Sequence, residues 1–174
     1  MKTALRAALA LLATGYLLVM LITGARPTRE QFVAFEAAGV MTQTPDHVRA
    51  VELRDGARVW QIGRRGEAWV LDDAVLAPAA AERLSLAVKF LHTARPVRSL
   101  EAADIAVGDA AFGFAQATPR ISVSLDDGST LTLEFGGATP DGSLHYVRVQ
   151  PPLRIHLMST FVGEQWRAVV AALP

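Results

Sequence analysis

Four histidines, a tryptophan pair and three acidic or glycine-bearing turns are the residues whose types could support chemistry in this chain. A metal would be held through the imidazoles. His47 stands before an alternating apolar run, His92 ends a helical pattern, and His145 and His156 fall on neighbouring alternating runs around Pro151-Pro152. With one register the last pair face each other, and a slip of one residue puts them on opposite faces. No helical histidine pair and no carboxylate cluster joins them, so no metal site is expected. Nucleophilic catalysis has as little to draw on: the chain has no cysteine, and no serine sits in a glycine-flanked elbow. Asp72-Asp73 reads as a solvated turn rather than a general acid and base. Asp126-Asp127-Gly128 lacks the spaced ligands of a calcium loop, and Gly136-Gly137 lacks the lysine or threonine of a phosphate loop. No catalytic residue and no cofactor is therefore expected, and the chain is not read as an enzyme.

What remains is binding. Arg54, Arg58, Arg64 and Arg65 gather around the first turns, where they would meet an anionic partner or simply face solvent. Trp60 and Trp69 either share a buried sheet face or form a stacking platform for a sugar. Phe112-Gly113-Phe114 is an apolar knot in an irregular stretch. Trp60, Trp69, Arg58, Phe112 and Phe114 are accordingly the candidate binding residues.

The elements that must position them follow from periodicity. Alternation from Val48 to Arg54 and from Ala57 to Ile62 flanks Asp55-Gly56, a two-residue hairpin signal. That turn pairs Leu53 with Arg58 and Val51 with Trp60. A four-residue turn over 63–66 leads into Glu67 to Leu71, setting Ile62 opposite Glu67 and Trp60 opposite Trp69. Pro78 suits the first turn of a helix, and Ala80, Ala81, Leu84, Ala87, Val88 and Leu91 recur at helical spacing. A short strand is expected from Val97 to Leu100, and a helical turn over 101–105. The plan then repeats. Strands from Ile121 to Leu125 and from Leu131 to Phe135 keep one apolar face only with an odd-length loop, with Leu125 opposite Leu131. Strands from Leu144 to Val149 and from Leu153 to Met158 follow, and a last helix from about Thr160 carries Val162, Trp166, Val169 and Val170. The fold class read from this is α+β: two successive antiparallel β-meander-plus-helix halves in one domain, residues 45–174.

The start of the chain sets the address. Lys2 and Arg6 precede an uncharged run from Ala7 to Ala25 that Arg26-Pro27 ends. Nineteen residues span about 28 Å as a helix, close to the roughly 30 Å of a bilayer core. It reads as one N-terminal transmembrane helix behind a cytoplasmic head at 1–6, with cleavage as a signal peptide at Thr23-Gly24-Ala25 the other reading. Residues 26–44 form a connector, with a short amphipathic helix carrying Phe32 and Phe35. The first 29 residues hold four basic groups and no acid, so the rest carries a net −4. No basic stripe with interleaved aromatics appears, which excludes a nucleic-acid partner from the expectations.

Several of these segments resemble the bacterial domain-of-unknown-function 4340 family. They are the stretch from His47 to Gly56, Glu67-Ala68-Trp69-Val70-Leu71, the helix through Leu91, Leu125-Asp126-Asp127-Gly128, Leu133-Glu134-Phe135-Gly136, Pro140-Asp141-Gly142 and Tyr146-Val147-Arg148. The resemblance covers residues 45–172 and implies a single N-terminal span with an exported domain, in some members beside ABC-type transporter components. It carries no catalytic residues over. The expectation is a single-pass protein of a bacterial inner membrane with its C-terminal domain in the periplasm. Its role would be that of an accessory protein meeting an envelope partner, with transporter subunits the kind the resemblance implies. An exported small-molecule or glycan binding module is the alternative.

Overall fold

A computed structural model describes residues 2–24, 38–100, 108–116 and 119–174. The chain divides into two compact units, Met1–Glu36 and Ala37–Pro174. In the first, helix α1 runs over Lys2–Gly24. Its described side chains from Ala10 to Leu21 are exposed, and Thr14 returns its hydroxyl to the Ala10 carbonyl at 2.9 Å, so that hydroxyl needs no outside partner. Among the described residues no helix is long and apolar enough to cross a membrane. The amphipathic helix expected within the connector and the helical turn over 101–105 lie outside the described residues.

The second unit is α+β, built on one nine-stranded antiparallel sheet. Its first strands are β1 (Val48–Asp55), β2 (Arg58–Arg65), β3 (Ala68–Leu71) and β4 (Ala74–Val75), followed by helix α2 (Pro78–Thr93) and β5 (Arg98–Leu100). Then come β6 (Arg120–Leu125), β7 (Thr130–Ala138), β8 (Leu144–Gln150), β9 (Arg154–Ser159) and helix α3 (Thr160–Ala172). Across the sheet the order is β4-β3-β2-β1-β6-β7-β8-β9-β5. The two runs of strands therefore meet at their first members, β1 against β6, and each unrolls outward from that seam. The outermost strands, β4 and β5, are two and three residues long, which leaves little unpaired edge.

One face of the sheet is apolar because every second residue is. Val51, Leu53, Trp60, Ile62, Trp69, Ile121, Val123, Leu133, Val147 and Val149 are buried there against Leu84, Ala87 and Leu91 of α2 and Val162, Trp166 and Val169 of α3. The two helices also touch each other, with Phe90 and Phe161 edge to face at 5.2 Å. Pro78 opens α2 as expected, and the Ser159 hydroxyl caps α3 by accepting from the Phe161 N–H.

The faces agree with the alternation, while the registers differ. The first turn is Gly56-Ala57, so Leu53 pairs with Trp60 and Val51 with Ile62. Gly56 takes φ 58° there, which glycine adopts without the Cβ penalty. The second turn is Gly66-Glu67, so Ile62 pairs with Leu71 and Arg64 with Trp69, and Trp60 does not oppose Trp69. In the β6–β7 hairpin the last pair is Ser124 and Thr130, with an odd number of residues between them, so one apolar face is kept, but Val123 rather than Leu125 stands opposite Leu131. Asp72-Asp73 forms the β3–β4 turn with φ 49° and 63°, a left-handed pair that suits a two-residue hairpin.

Residues 38–44, expected in the connector, belong to the second unit. Gly39 and Met41 donate their N–H groups to the carbonyls of His92 and Leu91 at 2.9 Å each. These are end-of-helix carbonyls of α2 that would otherwise need water. A Cβ on Gly39 would lie 2.2 Å from the Leu91 oxygen, so only glycine admits this approach.

Candidate functional site

The opposite face of the sheet is polar on its first half and partly covered on its second. Residues 108–116 lie over β7–β9, where Phe112 and Phe114 form a second apolar cluster with Ile155, Leu100 and Tyr146. The β7 bulge at Gly136-Gly137 makes room for them: a Cβ on Gly136 would stand 2.3 Å from the Phe112 oxygen. Beneath, the buried Glu134 is flanked across the strands by Arg120 and Arg148 and ion-paired to both. Arg148 also places its guanidinium 4.5 Å from the Phe114 ring centroid, in cation–π range.

The five candidate binding residues separate into three places. Trp60 and Trp69 are 7% and 4% exposed, and both indole N–H groups are used, on the Pro174 carbonyl at 3.0 Å and the Ser85 hydroxyl at 2.9 Å. The stacking platform is thereby corrected: the alternation that put the two indoles on one face put that face inward. Phe112 and Phe114 come together, 6.1 Å apart, but as the buried cluster just described. Arg58 is exposed beside the first turn. Its neighbours are mostly engaged, Arg54 with Glu52, Arg65 with Asp73, and Arg64 with the Pro45 carbonyl at 2.9 Å.

The histidines do not gather either. His145 and His156 share the inner face, but His145 pairs with Met158 and His156 with Val147, one step out of opposition. His47 joins Asp126 at 2.9 Å, and His92 meets the Met41 carbonyl. Among the described residues no three of His, Cys, Asp and Glu cluster as metal ligands.

The second unit also holds a cleft that no single motif announces. It measures about 670 Å³ and lies where four pieces of chain converge: 38–43, the α2–β5 connection, the β6–β7 loop and the β8–β9 turn. Arg95, Arg98 and Arg154 line it with His156, several hydroxyls and apolar side chains, and among the described residues no carboxylate does. Each piece reaches the cleft for its own local reason. α2 stops at Thr93 ahead of Arg95-Pro96, the 38–43 segment is pinned by Gly39, and Arg154 begins β9 opposite Val149. The nearest acids are occupied, Asp126 by His47 and Arg49, and Asp127 by the Ser129 N–H and hydroxyl. Those contacts hold both carboxyls below the usual range. Sequence reasoning missed this site because its residues come from separate element ends. The one signal available was an arginine beside each of two prolines, Arg95-Pro96 and Arg154 after Pro151-Pro152.

His156 is the buried titratable group of the cleft, 8% exposed, with Nδ1 2.9 Å from the Ser99 hydroxyl. Burial, and then the charge of Arg154, hold its pKa below the ordinary 6.5. Below pH 6.5 the unfolded chain then binds more protons than the folded one, so stability falls as pH falls. Urea unfolding between pH 7.5 and 5.5 is expected to show this loss, and His156→Gln to flatten it. An equal slope in the variant would remove His156 as the cause. The aspartates, held below the ordinary carboxylate range, do not contribute in that window.

No protein-family model, curated protein or solved structure matches this chain.

Proposed function

We propose that the chain is a membrane-anchored binding protein, with residues 7–25 as a single span in a bacterial inner membrane and the Ala37–Pro174 unit displayed in the periplasm to engage an envelope partner. The observation that carries this reading is the apolar run itself. It takes helical form within α1, and Leu11, Leu12, Leu17 and Leu21 stand 75%, 74%, 66% and 70% exposed. Four leucines bare to water would cost roughly 1.5–3 kcal/mol each relative to burial, which a lipid phase supplies. The basic residues before the run and the short head favour a cytoplasmic N-terminus. The family resemblance adds transporter subunits as the kind of partner, and the two meander-plus-helix halves fit one duplicated unit. A small-molecule role has its own support in the cleft, whereas the inward tryptophans argue against a glycan platform.

Fractionation of cells carrying the full chain tests the anchor. The protein is expected to stay with membranes through alkaline carbonate and to leave them only with detergent. A chain lacking residues 1–25 is expected in the soluble fraction. Carbonate release of the full chain would end the anchor reading. Crosslinking in intact cells that yields only the uncrosslinked monomer would end the partner reading.

A further inference from the structure

The cleft has a charge pattern that the rest of the unit does not share. Beyond residue 29 the chain carries a net −4, yet among the described residues three arginines and no carboxylate line this concavity. General basicity cannot account for that. Arg95 and Arg154 form no ion pair among the described residues, and they come from different walls, the α2–β5 connection and the start of β9. Arg98 has a partner of its own and is left out of the count. The Thr130 hydroxyl, unengaged among the described residues, adds a donor, while Val97 and Leu131 give an apolar lining. The C-terminal carbonyls of α2 would repel an anion, but Leu91 and His92 have theirs bonded to Met41 and Gly39. The charge of Arg154 is already felt within the cleft, where it helps to hold His156 unprotonated.

Two guanidiniums unpaired among the described residues match a tetrahedral dianion better than a single carboxylate, since each guanidinium presents a planar fork to two oxygens. The volume is that of a small-molecule site rather than of an ion alone. We propose that this cleft binds a phosphate-headed amphipathic molecule, Arg95 and Arg154 taking the phosphate, and Val97 and Leu131 its apolar remainder. This goes beyond the anchor reading and does not depend on it. A soluble phosphoester and a phospholipid headgroup share that chemistry.

The full chain in non-ionic detergent, titrated calorimetrically with phenyl phosphate, tests the soluble source. The same chain in nanodiscs of phosphatidylglycerol or of phosphatidylcholine tests the lipid source, read by the imidazole NMR signals. Saturable one-to-one binding is expected. Arg95→Gln and Arg154→Gln should each weaken it by about tenfold, the weight of one charge-assisted contact. Both side chains are exposed, so unchanged far-UV circular dichroism should accompany the loss. Arg83→Gln, an exposed charge on α2 away from the cleft, should change nothing. Binding also moves the His156 resonance and raises its pKa as the Arg154 charge is neutralised. If phosphatidylglycerol alone elicits these responses, with the same dependence on Arg95 and Arg154, the phosphate comes from lipid and the assignment holds. Two results would overturn it: no saturable response to either probe, or equal weakening by Arg83→Gln.

Discussion

Glu134→Leu is expected to destabilise the second unit by about 2–3 kcal/mol, and Arg148→Met in the same chain to recover much of that loss. Glu134 is 5% exposed at the centre of an arginine–glutamate–arginine row across β6, β7 and β8. Removing one member of a buried ion pair costs about 3–5 kcal/mol, because the other charge stays buried without compensation. The figure is smaller here because the Arg120 side chain is 52% exposed and can turn to water. Arg148 cannot: its side chain is 15% exposed, held between Glu134 and the Phe114 ring. An apolar pair at 134 and 148 removes both charges together, which is often neutral. Urea unfolding of the two single variants and the double closes the cycle. Additive losses would show that the row is not a coupled unit. The same substitution should raise amide exchange over 108–116, whose Phe114 rests on Arg148.

Trp166→Ala is expected to cost about 3–5 kcal/mol, and Trp166→Phe far less. Trp166 is fully buried in α3 at 0% exposure, so truncation to alanine loses its transfer energy and leaves a cavity. Its Nε1–H, alone among the buried side-chain polar atoms described, has no hydrogen-bond partner. Burying an unsatisfied donor costs about 1–3 kcal/mol, and phenylalanine removes the donor along with part of the volume. The two terms oppose, leaving a net loss of about 1 kcal/mol or less. Thermal unfolding resolves this at about 2–4 °C per kcal/mol for a domain of this size. A phenylalanine variant as damaged as the alanine one would mean that the indole N–H has a partner.

The same two tryptophan-bearing strands show how far the sequence could be read. Alternation identifies the inward faces of β1, β2 and β3, yet the three registers it suggests, for β1–β2, β2–β3 and β6–β7, each differ from the observed ones by an even number of residues. The cause is physical: a shift of two keeps each side chain on its face, so burial is indifferent to it. Only the turn discriminates, and Asp55-Gly56 and Gly56-Ala57 both supply a glycine for a left-handed position. β4 was not foreseen because two residues carry no period. α2 and α3 are legible from spacing, and α2 from Pro78 as well. The cleft was not, since four element ends meet there by topology, and topology followed from the β1–β6 seam that neither half encodes locally. The phenylalanine pair was recognised as apolar, but its burial depends on Gly136, which touches it only in space.

That seam has a consequence for the newly made chain. β1, eight residues long and alternately apolar, is an interior strand only after β6 arrives from the far side of α2 and β5. Until then the growing first half presents its longest edge bare, ready to pair with another chain. The finished sheet hides this hazard behind two stubs at its rims, so the vulnerable period is during biogenesis rather than in the mature protein. A ribosome or translocon that released the first half early would leave a sticky intermediate, and completion of the second half is what disarms it.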